Sequence, residues 1–176
     1  MKENDKLKFK KLLFKVAFCT MACDGDIDDR EIEEIKLMDK NSSYFADTDL
    51  SKELTELIDD FKEKGVGVIE TLFDDLGNIN LTIVQELLIL EVAIRIIYAD
   101  KRVDDNEKKF FRFLRSKLKV PNIIIKERFG DISDIYELGE YNETLKTNNI
   151  ADNFTLPDIS EIIKVDFNND IEEKSK

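Results

Sequence analysis

Along the first 130 residues, apolar side chains recur every three or four positions, the spacing of one face of an α-helix. A first helix is predicted from about Asp5 to Cys23, carried by Leu7, Leu12, Leu13, Val16, Ala17 and Met21. It should stop at Asp24-Gly25, because glycine tolerates the left-handed backbone that ends helices. A second starts at Asp28, which can cap it with Glu31 three residues on, and buries Ile32, Ile35 and Met38. The polar run from Asn41 to Asp49 reads as a loop. A third helix follows with Leu50, Leu54, Leu57, Ile58 and Phe61, broken near Gly65 and Gly67. The pattern resumes through Val68, Ile69, Leu72, Phe73 and Leu76 and ends at Gly77. Asn80 is the expected cap of the next helix, which runs to about Ala99 and is apolar nearly all round, so it should be central and buried. Asp104 opens another, with Phe110, Phe111, Phe113, Leu114 and Leu118, closed by Pro121 and followed by a short helix from Ile125 to Phe129. The fold expected is all-α.

One passage occurs twice. The segment from Ala22 to Glu31 aligns with the segment from Tyr98 to Glu107, pairing Asp24 with Asp100, Asp28 with Asp104, Asp29 with Asp105 and Glu31 with Glu107. Ile27 and Val103 are equivalent, Val16-Ala17 matches Val92-Ala93, and Ile35 and Met38 correspond to Phe111 and Leu114. A bundle of two pseudo-symmetric helix–loop–helix repeats follows.

Half of these acids have a local explanation. Asp28 and Asp104 cap helices, and Glu31 and Glu107 sit in first turns, where the helix dipole favours negative charge. Asp24 and Asp100 do not fit that account. Each stands at a helix C-terminus, where the dipole disfavours a carboxylate, so a cation, a basic side chain or an Asx turn should compensate. With Asp26 they offer oxygen-only ligands suited to a hard ion such as Ca2+ or Mg2+, making Asp24, Asp26, Asp28, Glu31, Asp100, Asp104 and Glu107 the candidate metal set. Neither loop is an EF-hand. Counted from Asp24, Asp29 replaces the glycine at the sixth position and Ile35 the glutamate at the twelfth. In the second loop, Lys101 and Arg102 can neutralise Asp100.

Composition narrows the function. A net charge of −12 argues against nucleic acid and for cations or basic surfaces as partners. With no histidine, Ser–His and Cys–His catalysis are excluded. Cys19 and Cys23, four apart, read as core side chains on one helical face. Lysines precede Leu12-Leu13-Phe14, and Thr20 to Cys23 faintly resembles a lipoprotein cleavage box. Glu3, Asp5 and Lys15 interrupt any export signal, so the expectation is a cytoplasmic protein. The most apolar stretch carries Gln85, Glu86, Glu91 and Arg95, against a membrane span. Lys2, Lys6, Lys8, Lys10, Lys11 and Lys15 crowd the first helix, and Lys108, Lys109, Arg112, Arg115, Lys117 and Lys119 the helix that Asp104 opens. The bland reading is solvated faces, and the sharper one is contact with an anionic membrane surface or an acidic partner.

The run Cys23-Asp24-Gly25-Asp26-Ile27-Asp28-Asp29-Arg30-Glu31 resembles the motif of the tellurite-resistance TerB-like family: Ala-Asp-Gly, a variable residue, an aliphatic, three variable residues and Glu. Cys23 replaces the alanine, and the second copy keeps Ala99, Asp100 and Glu107 but has Lys101 for glycine. The resemblance, which also takes in Val84-Gln85-Glu86-Leu87-Leu88, covers about residues 5–130. It implies an all-helical, non-enzymatic stress-response domain, cytoplasmic or peripheral at the inner membrane. Its partners would be other proteins, including membrane-associated stress-response components. Asp24, Glu31, Asp100 and Glu107 would inherit a metal site. A TerB-like domain is thus expected over 1–130, with an acidic, partly irregular or disordered extension over 131–176. Two other readings compete: a protein–protein interaction domain whose acids serve only as caps and solvated charge, and a metal-dependent hydrolase. For the hydrolase no phosphate-cradling glycine loop is visible.

Overall fold

The computed structural model describes residues 2–42, 44–136 and 153–168, all helical or irregular. Eight helices are formed among them: α1 (Glu3–Ala22), α2 (Asp29–Ser42), α3 (Leu50–Lys64), α4 (Gly67–Asn78), α5 (Ile83–Ala99), α6 (Asp105–Ser116), α7 (Asn122–Phe129) and α8 (Ile159–Ile163). The expectation of disorder beyond Asn168 lies outside the described residues.

The core is built on α1 against α5. On α1, Val16, Ala17, Phe18, Cys19 and Ala22 have no exposed surface, and neither have Ile89, Leu90, Val92, Ala93, Ile96 and Ile97 on α5. Small residues on each helix (Ala17, Ala22 and Ala93) let the two backbones approach, and larger side chains fill the flanks. Around this pair pack α2 and α6 on α5, and α3 and α4 on α1. Phenylalanines fill the space between. Phe14 meets Phe45 edge-on at 5.9 Å, Phe18 meets Phe61 at 5.9 Å, and Phe73 meets Phe110 at 5.2 Å. Both cysteines are buried and free, as the core reading requires. No described helix is long and apolar enough to cross a membrane.

Several element ends differ from the sequence expectation. Thr82, not Asn80, caps α5. Its hydroxyl accepts from Gln85 N–H at 3.2 Å, and the Gln85 side chain accepts from Thr82 N–H at 3.0 Å. A complete capping box satisfies two orphan backbone donors, which a lone asparagine would not. The first two residues of α5 are not buried: Ile83 and Val84 stand 54% and 67% exposed. Helix α7 begins directly after Pro121 because proline suits a helix start. Glu86, on the buried α5, accepts the N–H groups of Lys119 and Val120 at 2.8 and 2.5 Å and so fixes the α6–α7 turn to the core.

Beyond α7, the chain continues to pack. Ile132 and Ile135 are buried, and residues 153–168 lie back on the body with Phe154, Ile162 and Val165 inside.

Replacing Glu86 by Ala leaves the buried Val120 N–H and the part-buried Lys119 N–H without their acceptor. Chemical denaturation should show a loss of about 2–4 kcal/mol, with circular dichroism still helical.

Candidate functional site

Helices α1 and α5 end side by side, and each chain turns through a short acidic loop into α2 or α6. In the first loop, Asp24 Oδ1 accepts Asp26 N–H at 3.0 Å, an Asx turn, and Gly25 takes φ +88°. Asp28 Oδ1 then accepts Arg30 N–H at 2.8 Å, and Glu31 Oε2 accepts Asp28 N–H at 3.2 Å. The second loop makes the corresponding bonds. Asp100 Oδ1 accepts Arg102 N–H at 2.8 Å, Lys101 takes φ +63°, Asp104 Oδ1 accepts Asn106 N–H at 2.6 Å, and Glu107 Oε2 accepts Asp104 N–H at 2.7 Å. The Asx turns answer the question posed by Asp24 and Asp100. An amide N–H meets each carboxylate at a helix end whose dipole opposes it.

Lys101 is one of two described non-glycine residues with positive φ, the other being Asp47. Losing the motif glycine therefore does not change the turn, although a side chain there is strained.

Burial of the glutamates was not expected from their first-turn positions. Glu31 and Glu107 are 5% and 3% exposed. Desolvation drives the Glu31 carboxyl up to about 9, against the pull of the Asp28 N–H, and Glu107, Asp24 and Asp100 add repulsion. Burial likewise brings Glu107 to about 7, with repulsion from Asp100, Asp24 and Asp104. Asp24 is raised by burial and then by Asp104 and Asp26. Beneath them, burial pushes the Cys23 thiol well up, and Asp24, Glu107, Glu31 and Asp104 push it further. Its Sγ donates to Thr20 O at 3.1 Å, so it is a satisfied core group without thiolate character.

Of the seven sequence candidates, Asp24, Glu31, Asp100, Asp104 and Glu107 act on one another across the two loops. Asp26 is exposed at the rim, where its Oδ1 accepts Ile27 N–H at 3.0 Å. Asp28 is taken by Arg30, whose Nε and a terminal nitrogen reach its two oxygens at 2.9 and 2.7 Å. That bidentate grip holds the Asp28 carboxyl down at about 2. Among the described residues, no group of three or more His, Cys, Asp or Glu side chains stands arranged to hold a metal ion.

Arg30 is the functional residue that sequence reasoning passed over. Its remaining terminal nitrogen donates to Asp100 O at 3.1 Å, placing a cation at the end of α5 and tying the first loop to the second. No periodicity marks it, because it occupies a variable motif position and its second partner is seventy residues away. The internal neutraliser expected for Asp100 is weaker: Arg102 Nε stands 4.0 Å from Asp100 Oδ2 and is mostly exposed.

The basic faces are partly spoken for. Lys10 pairs with Asp47 at 3.5 Å, Lys11 with Glu53 at 2.7 Å and Lys15 with Asp75 at 3.8 Å, and the lysine stripe borders a groove of about 540 Å³ between α1, α3 and α4. Arg115 turns inward to Leu118 O and Val120 O at 3.0 and 2.7 Å. Lys2, Lys6 and Lys8 remain exposed.

Replacing Arg30 by Met should raise the Asp28 carboxyl from about 2 towards its ordinary 3.8, read by NMR titration of the side-chain carboxyl. Because that carboxyl is depressed in the folded state, its contribution is present above the ordinary value and lost as pH falls through about 2. The variant should therefore lose part of the stability difference between pH 5 and pH 2.

Comparison with known protein families, curated proteins and solved structures yields no match.

Proposed function

We propose that this chain is a non-enzymatic binding module, similar to TerB-like stress-response domains, in which two acidic loops share a divalent cation. The supporting observation is the burial of Glu31 and Glu107 from the two loops within each other's field. Grouping carboxylates out of water is unfavourable unless protons or a cation neutralise them. The loop bonds commit one oxygen each of Asp24, Glu31, Asp100 and Glu107 to the backbone, and the second oxygen of Asp100 meets only the mostly exposed Arg102 at 4.0 Å. Such a donor set is all oxygen and fits a hard ion, Ca2+ or Mg2+. Ligation requires these side chains to turn towards one another, since none of their groupings holds an ion as it stands. The bond-for-bond likeness of the loops also supports reading the bundle as two pseudo-symmetric helix–loop–helix copies. The partner would be another protein, recognised through this acidic end, and the exposed Lys2, Lys6 and Lys8 leave room for contact with an anionic membrane surface.

One observation favours a second reading. The acids already serve as caps and Asx turns, which suffices for a protein-interaction domain without metal. Calorimetry separates the two. Binding heat with Ca2+ or Mg2+ that Asp24→Asn and Glu31→Gln both abolish supports the cation site. No heat with either ion leaves the interaction domain.

The pH dependence carries a second test. Glu31 and Glu107 are raised in the folded state, so the folded chain holds more protons than the unfolded one between their ordinary value of 4.5 and about 9. Without cation, stability should fall as pH rises through that window. Glu31→Gln should flatten the decline and stabilise the protein at pH 8 by about 1 kcal/mol or more, read by thermal melts across pH. A bound cation should reverse the trend, because deprotonation then favours binding.

A further inference from the structure

The lysine stripe of α1 faces acids across a groove. Among the described residues, that groove of about 540 Å³ has Lys8, Lys11 and Lys15 on its α1 wall and Glu53, Glu56 and Asp60 on its α3 wall. The two rows share one spacing, three residues and then four, so each lies along one face of its helix. Lys11 pairs with Glu53 at 2.7 Å and Phe18 meets Phe61 at 5.9 Å, so α1 and α3 run in the same direction along the groove.

Like charges at these spacings repel within a helix, and opposite charge must come from outside each row. Inside the chain that supply is partial. Glu53 is buried against Lys11, whereas Lys15 reaches Asp75 of α4 only at 3.8 Å. Asp60 turns to Lys64 of its own helix at 3.5 Å. Lys8 and Glu56 stand exposed. Apolar surface lies between the walls, where Leu12 is partly buried and Ile79 is 40% exposed.

A surface that is basic along one wall, acidic along the other and apolar between is complementary to itself. A twofold axis parallel to the groove lays the lysine wall of one copy on the acid wall of the other, twice over. An axis across the groove would set like charge on like. We propose that this groove is the isologous interface of a homodimer, with a second copy of the chain as its occupant. The net charge of −12 opposes self-association at long range, so the two rows act at contact. Because the axis runs along α1, both copies of α1 end on the same side. The dimer thus presents its two acidic ends together, the arrangement that bivalent binding needs. It forms with or without a cation in the loops.

Sedimentation velocity of the full chain at concentrations up to about 0.5 mM, where weak polar interfaces assemble, should show monomer passing towards dimer. Lys8→Glu with Lys15→Glu makes the basic wall acidic, and Glu56→Lys with Asp60→Lys makes the acid wall basic. Each double variant alone should lose about tenfold or more in dimer affinity. An equimolar mixture of the two should recover the dimer, because every reversed wall then meets its opposite. Net charge does not produce this pattern: the Glu56→Lys/Asp60→Lys chain is less negative than the parent, and the mixed pair carries the same total charge as two parent chains. A second copy is rejected as the occupant if the parent stays monomeric throughout, if either variant dimerises as well as the parent, or if the folded variants fail to pair when mixed. Should a double variant lose its helical circular dichroism, Lys8→Glu and Glu56→Lys alone, both at exposed positions, carry the same comparison. A monomeric parent that sediments with anionic vesicles, and no longer does so with Lys8→Glu and Lys15→Glu, would assign the lysine wall to a membrane surface instead.

Discussion

The constraint on which this structure depends is the end of a helix inside a packed body. Helices α1 and α5 bury small and aliphatic faces against each other, and the chain restarts in α2 and α6 with part-buried N–H groups at Asp28 and Asp104. Those donors need acceptors. Glu31 and Glu107 reach back to the N–H groups of Asp28 and Asp104, and the aspartates themselves take the next amides. Satisfying the backbone in this way brings negative charge from two loops to one place, and the rest of the site's chemistry follows from that concentration.

The charge is managed unequally. Arg30 neutralises Asp28 and reaches the last carbonyl of α5, so the first loop is clamped to the second. Glu31 and Glu107 have no arginine in the loop bonds, and burial with the neighbouring acids raises both carboxyls. A proton and a divalent cation are alternative answers to the same electrostatic problem, so a site that resists ionisation near neutral pH is also one that a hard cation could occupy. The two loops share their hydrogen bonds but not their surroundings: Thr155 lies on Gly25, and Lys101 faces solvent.

Local pattern predicted much of the architecture. The three-to-four spacing located α1, α2, α3, α5 and α6, and the repeated Asp–Glu spacing marked both helix starts at Asp28–Glu31 and Asp104–Glu107. Asn80 misled because a single side-chain acceptor looks like a cap, whereas the Thr82–Gln85 pair satisfies two donors at once. Polar composition over residues 131–176 pointed to a partly irregular extension with scattered apolar residues able to pack in pieces, and residues 153–168 do lie on the body through Phe154, Ile162 and Phe167. Their spacing follows neither a helix nor a strand.

Sequence by itself determined which residues form helices and where the chain turns, since hydrophobic period, caps and left-handed turns act over a few residues. It also placed carboxylates at the start and end of both loops. Only the tertiary structure decided that Glu31 and Glu107 are buried, that the two loops act on one another, that Arg30 joins them and that Thr155 covers Gly25. Each of those depends on the packing of α1 on α5 or on the return of residues 153–168, and so on contacts between residues far apart in the chain, whose desolvation and fields no local pattern records.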